Sequence, residues 1–230
     1  MDEIITGTIL EIYKKCQVTH FPIDCCRVIE TLKIPLVRYS SVNEARRQHY
    51  HLISDDSFKF RGMIYYNDLS PHILRQRFSL MHELGHIMLR HTGNSHENEE
   101  QADRFSSSIL APRIAIHKMN CRDAQQIHDT FQISYRAANR ALADYYKWYN
   151  HICRTTRKPS LPEQQMEQWL FSSAAPKPAR PEKNQKATAR EIRQQERTGF
   201  FNEMQHIHGA DPMYLHAESK FLYGDKNDKP

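Results

Sequence analysis

The sequence predicts a mostly helical α+β fold in which a small sheet of about three strands lies beside a central helix. Apolar residues recur with a helical period in several segments, including residues 74–88 near the middle of the chain. Two short runs, residues 34–39 and 60–66, are instead rich in β-branched and aromatic residues, as is typical of strands. The sheet is therefore expected to act as a scaffold against which the helices pack.

The N-terminal part of the chain predicts two helices and a strand. Residues 2–17 are expected to form an amphipathic helix, and a second helix is expected to begin after residues 21–24. The core-facing positions are Ile5, Ile9, Ile12 and Tyr13 in the first helix, and Cys25, Val28, Ile29 and Leu32 in the second. Residues 34–39 follow as a strand, and Pro35 places it at a sheet edge or at a strand start, since proline lacks a backbone N–H.

The next segment predicts a helix and then a pair of strands. We expect residues 41–50 to be helical, with strands near residues 51–54 and 60–66 joined by a turn at residues 54–57. If the strand at 60–66 is a sheet edge beside the functional site, a substrate could add to it as a further strand. An ordinary core strand is the equal alternative.

Two tyrosines of that strand are candidates for stabilising an oxyanion, Tyr65 and Tyr66. Successive side chains of a strand point to opposite faces of the sheet. At most one of the two tyrosines can therefore serve in this way.

The central helix is expected to begin at Ser70 and Pro71, which suit the N-cap and the first helical position. Its buried stripe is formed by Leu74, Phe78, Met81 and Met88. Gly85 within a helix costs about 1 kcal/mol relative to alanine, so we expect it to allow another backbone or a substrate to approach closely. The helix is expected to stop at residues 91–94.

The central helix carries the motif His-Glu-x-x-His at residues 82–86. Four residues rotate a helix by one turn plus about 40°, so His82 and His86 project from the same face. Two imidazoles on one face can hold Zn²⁺, and Glu83 lies where it can take a proton from water that the metal acidifies. The alternative is an amphipathic helix with two solvated histidines.

A third ligand is expected from a following helix that includes residues 97–105. Glu99 and Asp103 are four residues apart and share a helix face. Glu99 can complete a His₂Glu site while Asp103 hydrogen-bonds to the outer nitrogen of a ligand histidine. Glu97 and Glu100 are competing ligands, and a solvated acidic first turn favoured by the helix dipole is the alternative to a metal site.

Two further histidines follow the motif, His91 and His96. Leu89 and Thr92 occupy the positions where a three-histidine site of the HExxHxxGxxH kind needs its glycine and its third histidine. Both additional histidines are out of that register, so we expect them to face solvent.

Two longer motifs surround the candidate site. The residues Arg77-Phe-Ser-Leu-Met-His-Glu-Leu-Gly-His86 and the pattern ExxADxFSxxILAP at residues 99–112 resemble those of the ImmA/IrrE family of zinc metallopeptidases. That family typically shows RFTLAHELGH and ExxANxFAxxLLMP. Asp103 replaces the usual Asn, Ser106 the usual Ala and Ala111 the usual Met, and none of these changes removes a proposed ligand or the base. The resemblance covers roughly residues 20–145.

The resemblance implies a zinc-dependent endopeptidase that cleaves a partner protein, namely a helix-turn-helix transcriptional repressor of a mobile element or stress response. Zn²⁺ would be held by His82, His86 and Glu99, with Glu83 as the catalytic base and Asp103 supporting one ligand. The alternative from another class is a non-catalytic regulatory module that binds a repressor or antitoxin. Cleavage of the repressor, as opposed to a stable uncleaved complex, separates the two.

Residues 122–146 predict a helix pair that imitates a helix-turn-helix in the spacing of Ile127, Phe131, Ile133, Ala137 and Leu142. Asp144 and a tyrosine cluster on its second helix favour packing or protein docking, so we expect no direct DNA binding. The predicted organisation is a metallopeptidase domain at 1–150, a helical extension at 151–172, a linker at 173–187 and a short helical C-terminal tail at 188–230.

Composition bounds the compartment and the partners. Five cysteines, an odd number without a CxxC pair, argue for reduced thiols in a cytoplasm and against a disulfide framework. The N-terminus lacks the pattern of a signal peptide, and no stretch approaches the length of a membrane span, so we expect a cytoplasmic protein without a membrane partner. The net charge of +5 permits an acidic or nucleic-acid partner without indicating one.

Overall fold

The computed structural model describes residues 2–93, 95–155 and 158–172. The chain divides into two units, one containing Met1–Ser70 with Leu74–Pro178 and the other Pro71–Ile73 with Ala179–Pro230. The description below concerns the first unit, apart from Ile73 as the first residue of a helix. The predicted linker at 173–187 and the predicted tail at 188–230 lie outside the described residues.

Helices dominate the described part of the chain. They are α1 (Asp2–Cys16), α2 (Cys25–Thr31), α3 (Glu44–Ile53), α4 (Ile73–Met88), α5 (His96–Leu110), α6 (Arg113–Lys118), α7 (Ala124–Phe131), α8 (Tyr135–Arg154) and α9 (Leu161–Phe171). The strands are β1 (Leu36–Arg38), β2 (Ser57–Phe60) and β3 (Met63–Tyr66). The predicted fold class, a mostly helical α+β domain with a three-stranded sheet and a later helix pair, is confirmed. None of the described helices is both long and apolar enough to cross a membrane.

The sheet has the strand order β1-β3-β2, with β3 in the middle. β1 runs parallel to β3 and places Val37 opposite Tyr65, whereas β2 runs antiparallel and places Phe58 opposite the same tyrosine. Pro35 precedes the edge strand β1, as its missing N–H predicted. Because β3 is paired on both sides, it cannot accept a substrate strand, and the prediction that residues 60–66 could do so is wrong for β3. The two edge strands of the sheet are β1 and β2.

Two sequence predictions for this region are wrong. The residues expected to form a strand near 51–54 instead continue α3, which is closed by the Ser54 N–H donating to the Tyr50 carbonyl at 2.9 Å. The hairpin turn lies at Arg61-Gly62, where both residues have positive φ (49° and 75°). Positive φ at both central residues gives a two-residue turn whose twist matches antiparallel strands. Arginine is an unusual residue there, so the aromatic and β-branched residues on both sides of Arg61-Gly62 look in the sequence like one continuous strand at residues 60–66.

The start of α4 also differs from the prediction, since Ser70 and Pro71 lie outside the helix. Residues 67–70 form a turn of their own, in which the Asn67 side chain accepts from the Leu69 N–H at 3.1 Å. At its other end α4 stops at Met88, before the predicted residues 91–94, and Arg90 follows in the left-handed conformation with φ of 56°.

The core surrounds α4, whose side chains Leu74, Leu80, Met81 and Leu84 are buried. Helix α5 packs beside it, and the Ser106 hydroxyl donates to the Phe78 carbonyl at 2.7 Å. Helix α1 contacts α5 through Tyr13, whose hydroxyl donates to the Ile109 carbonyl. The five cysteines, all within the described residues, are free thiols. These contacts hold α4 and α5 side by side.

The helix pair α7–α8 is tied to α4 by Arg77, one turn before the motif. Its guanidinium donates to the carbonyls of Ile23 (2.9 Å), Gln132 (3.0 Å) and Phe131 (3.4 Å). Gln132, the residue of the turn, is left-handed with φ of 50°. The pair therefore has a packing role that does not depend on nucleic acid.

Candidate metal centre

The site is built where α4 and α5 are in close contact, at Gly85. A Cβ placed on Gly85 would lie 3.0 Å from Cδ1 and 3.2 Å from Cβ and Cγ of Phe105, a fully buried residue of α5. The close approach predicted from the sequence is therefore made by a side chain of α5, and not by another backbone or a substrate. It brings one face of α5 against the histidine-bearing face of α4.

Three polar side chains converge at this contact. The Nε2 atoms of His82 and His86 are 3.0 Å apart. Glu99 places Oε2 at 3.2 Å from the first nitrogen and Oε1 at 3.5 Å from the second. At metal–ligand distances of about 2.0–2.1 Å and tetrahedral angles, ligand atoms lie about 3.4 Å apart. The donor set and its spacing therefore fit one tetrahedral metal ion, and the three residues form a metal-compatible cluster.

The structure separates Glu99 from its two competitors. Glu97 accepts a hydrogen bond from the Gln101 side-chain amide at 3.2 Å, and Glu100 lies 3.9 Å from the exposed His96. Neither of these carboxylates belongs to the cluster. Of the three glutamates, only Glu99 is brought to the paired imidazoles in the described residues.

The outer nitrogens of both histidines are also occupied. The Nδ1 atom of His82 lies 2.8 Å from Oδ1 of Asp103, as the four-residue spacing on α5 predicted. The Nδ1 atom of His86 lies 3.1 Å from Nδ1 of His91. The prediction that His91 faces solvent is wrong, whereas His96 is indeed exposed, with 90% of its side chain accessible.

The sequence does not predict the contact between His91 and His86. In a continuous helix, a residue five positions further along would point away from His86. The chain instead reverses at Arg90, and the His91 N–H donates to the His86 carbonyl at 3.0 Å. The left-handed backbone of Arg90, two residues past the end of α4, folds the His91 ring back onto the site.

The surroundings give the two histidines opposite pKa shifts. Burial lowers the pKa of His86 to about 4, and the charges of His82 and Lys59 add to this effect. Burial also lowers the pKa of His82, but the hydrogen bond to Asp103 and the neighbouring carboxylates outweigh it, so the net pKa is raised above 6.5. His86 is therefore neutral at physiological pH, as a metal ligand must be.

Glu83 lies beside the cluster in a part-buried position. Burial raises the pKa of its carboxyl above the ordinary value of 4.5, although a hydrogen bond from the Lys59 backbone N–H and the positive charges nearby oppose the shift. A carboxylate whose pKa lies closer to neutrality is a better general base at neutral pH.

A cleft of about 650 Å³ leads to the cluster between α3, β2 and the central helix. Its wall includes three aromatic rings, Tyr50, Phe58 and Tyr65, of which the last two are stacked with centroids 4.8 Å apart. Tyr66, by contrast, is buried and shares a hydrogen bond with Cys26. Of the two candidate tyrosines, Tyr65 is therefore the one on the cleft side of the sheet.

About half of the sequence matches the model of a known protein family. Residues 31–143 match the family model of peptidase family M78, described as an IrrE N-terminal-like domain. No curated protein and no solved structure matched the chain. The matched residues contain the sheet, the cleft, α4 and α5, and therefore all of the residues that converge at the cluster. Residues 31–143 therefore form a peptidase M78 (IrrE N-terminal-like) domain that carries a candidate metal-binding group of two histidines and one glutamate.

Proposed function

We propose that the protein is a zinc-dependent endopeptidase that cleaves a partner protein, with His82, His86 and Glu99 as the metal ligands and Glu83 as the catalytic base. One observation carries this proposal: two Nε2 atoms and one carboxylate converge at 3.0–3.5 Å next to a further carboxylate, at the end of a cleft. A set of two imidazoles and one carboxylate that leaves a fourth position free is the donor set of catalytic zinc sites.

Zinc supplies a Lewis acid, which lowers the pKa of water and polarises the carbonyl that is to be attacked. The protein's own contribution begins with the tautomers of its ligands. Asp103 accepts the Nδ1 proton of His82, and this leaves the Nε2 lone pair directed at the cluster. The ring is thereby held in the orientation that binding requires.

Glu83 handles the protons. Its carboxylate takes a proton from the attacking water and then gives it to the departing amine, so that one group serves both steps. The Lys59 N–H on β2 donates to this carboxylate and fixes its orientation relative to the cleft. The raised pKa favours both roles, because the group must first accept a proton and then release it near neutral pH.

The cleft suggests how a polypeptide is held. In the described residues β2 pairs with β3 alone, so its other edge is available for an extended substrate segment. The aromatic wall of Tyr50, Phe58 and Tyr65 offers apolar surface to a bulky substrate side chain. The resemblance to the ImmA/IrrE family supports a helix-turn-helix repressor as the partner that supplies this segment.

The test is to incubate the purified protein and Zn²⁺ with a helix-turn-helix repressor, chosen from the genes that neighbour its own, and to follow fragments by mass spectrometry. Glu83→Gln should keep stoichiometric zinc but lower the rate of cleavage at least about 100-fold, because the base is lost. Glu100→Gln makes the same change at an exposed position of α5 and should cleave like the wild type.

Two results would contradict the proposal. Full cleavage by Glu83→Gln would remove the assigned base. A stable complex in which the repressor stays intact would instead support the non-catalytic regulatory module.

A further inference from the structure

A chain of hydrogen bonds runs from the metal cluster to the surface of α5. The Nδ1 atoms of His86 and His91 are 3.1 Å apart, and the Nε2 atom of His91 lies 3.2 Å from Oε1 of Gln101. The amide nitrogen of Gln101 in turn donates to Glu97 at 3.2 Å. Four side chains are thus connected, and only the first faces the cluster.

The direction of these hydrogen bonds follows from the carboxylate at the end. Glu97 can only accept, so the Gln101 amide nitrogen faces it and the amide oxygen faces His91. That oxygen needs a donor, which puts a proton on Nε2 of His91. A neutral imidazole carries one proton, and its Nδ1 is then an acceptor.

The same reasoning determines the tautomer of His86. Two ring nitrogens 3.1 Å apart share one proton, and because His91 presents a lone pair there, Nδ1 of His86 carries the proton. Its Nε2 is then unprotonated and points at His82 and Glu99. The opposite tautomer would direct an N–H at the metal position and could not bind an ion.

We propose that His91 is a positioning residue of the metal centre, which accepts the Nδ1 proton of His86 and so keeps Nε2 of that ligand free for the metal. It does for His86 what the carboxylate of Asp103 does for His82, but with a ring nitrogen as the acceptor. This inference rests on the metal site of the proposed function, and it concerns ligand geometry and not the hydrolytic step.

The backbone around His91 is held in place for this contact. Its N–H donates to the His86 carbonyl at 3.0 Å, and its own carbonyl accepts from the Lys59 ammonium at 3.3 Å. The two rings lie 5.1 Å apart at an interplanar angle of 81°. Strand β2, which carries Lys59, thus supports the ligand helix from the side of the cleft.

The test is the zinc dissociation constant of the whole chain, measured by competition with a chelator. His91→Phe keeps an aromatic ring but removes the acceptor, and affinity should fall about 10–100-fold. His91→Asn places an oxygen near the former Nδ1 position and should recover most of the affinity. His96→Phe, at an exposed histidine of α5, is the matched control and should bind zinc within about twofold of the wild type.

A second measurement needs no variant. Long-range ¹H–¹⁵N correlation spectra of the metal-free wild type should show the proton of His86 on Nδ1, and in His91→Phe a population with the proton on Nε2 should appear. A wild-type proton on Nε2 would overturn the inference, as would a His91→Phe variant that binds zinc like the wild type or a His91→Asn variant as weak as His91→Phe. If the wild type binds no zinc, the proposed function fails, while the tautomer measurement still decides the role of His91.

Discussion

Each metal-facing histidine has a partner at its outer nitrogen, and the two partners differ in chemistry. His82 contacts the carboxylate of Asp103, whereas His86 contacts the imidazole ring of His91. The charged partner is the reason that the pKa of His82 rises even though burial opposes it, while the pKa of His86 falls to about 4. Between the two pKa values, His82 alone must lose a proton when a metal binds.

The pH dependence of zinc affinity follows from this difference. Below the raised pKa of His82 the ion displaces one proton, so affinity should fall about tenfold for each unit of pH, and above it the affinity should level off. The levelling should occur above pH 6.5, the ordinary histidine value. Zinc competition titrations between about pH 5.5 and 8.5 measure it.

Two matched variants test whether the raised pKa of His82 comes from Asp103 itself or from negative charge in general. Asp103→Asn should move the levelling point to lower pH, because the carboxylate that stabilises the protonated ring is gone. Asp144→Asn, at an exposed residue of α8, should leave it unchanged. A levelling point that stays in place in Asp103→Asn would contradict the assignment of the pKa shift to this contact.

At the scale of elements, the site depends on how closely α5 approaches α4. Glu99 and Asp103 reach the histidines because Phe105, on the same helix, packs against the bare backbone of Gly85. The hairpin β2–β3 contributes from the other side, since the Lys59 backbone N–H donates to Glu83 and its ammonium donates to the His91 carbonyl. The geometry of the site therefore depends on α5 and on the β2–β3 hairpin, which contact α4 from two sides, and not on the motif helix alone.

Gly85→Ala tests the first of these contacts. Phe105 must shift to admit a methyl group, and overpacking of this kind costs about 1–3 kcal/mol, against which alanine recovers about 1 kcal/mol of helix propensity. The free energy of unfolding should fall by up to about 2 kcal/mol. Zinc affinity should fall as well, because α5 carries two of the residues at the site.

Gly7→Ala in α1 is the control, since an added Cβ there meets nothing within 4 Å. This variant should be more stable by about 1 kcal/mol and bind zinc unchanged. Chemical denaturation and zinc titration measure both effects. Equal behaviour of the two variants would show that the contact between Gly85 and Phe105 does not control the site.

At the scale of the whole molecule, α9 joins the end of the described chain to its beginning. The Trp169 indole N–H donates to the Val18 carbonyl at 2.8 Å. The buried carboxylate of Glu163 lies 3.2 Å from the Arg113 guanidinium and accepts from the backbone and hydroxyl of Ser160, each at 2.9 Å. One carboxylate thus caps α9 and attaches it to α6.

Glu163→Ala should lower the free energy of unfolding by about 2–3 kcal/mol, because it removes a helix cap and leaves a part-buried guanidinium without this partner. Gln165→Ala, at an exposed position of the same helix, should change it by less than about 0.5 kcal/mol. Zinc affinity of the folded protein should be the same in both, since α9 supplies no residue to the metal centre. Thermal and urea unfolding measure the difference. Equal stabilities of the two variants would show that the contacts of Glu163 contribute little to folding.

The sequence by itself determined the local geometry of the site. Backbone hydrogen bonds fix the period of a helix, so the spacing of four residues was enough to place His82 beside His86 and Glu99 beside Asp103. The helical class of the fold and the presence of a small sheet followed from the same periodicities. The order of the strands and the position of their turn did not.

Only the tertiary structure decided which carboxylate meets the imidazoles, which strand forms the edge beside the cleft, and where His91 lies. These outcomes depend on where the chain reverses, at Arg61-Gly62 and at Arg90, and on the contact of Phe105 with Gly85. A left-handed arginine leaves no periodic signal in a sequence, and a contact between distant residues is set by the packing of the whole core. Short-range periodicity therefore predicted which side chains share a face within each helix, and long-range packing brought the two helices together.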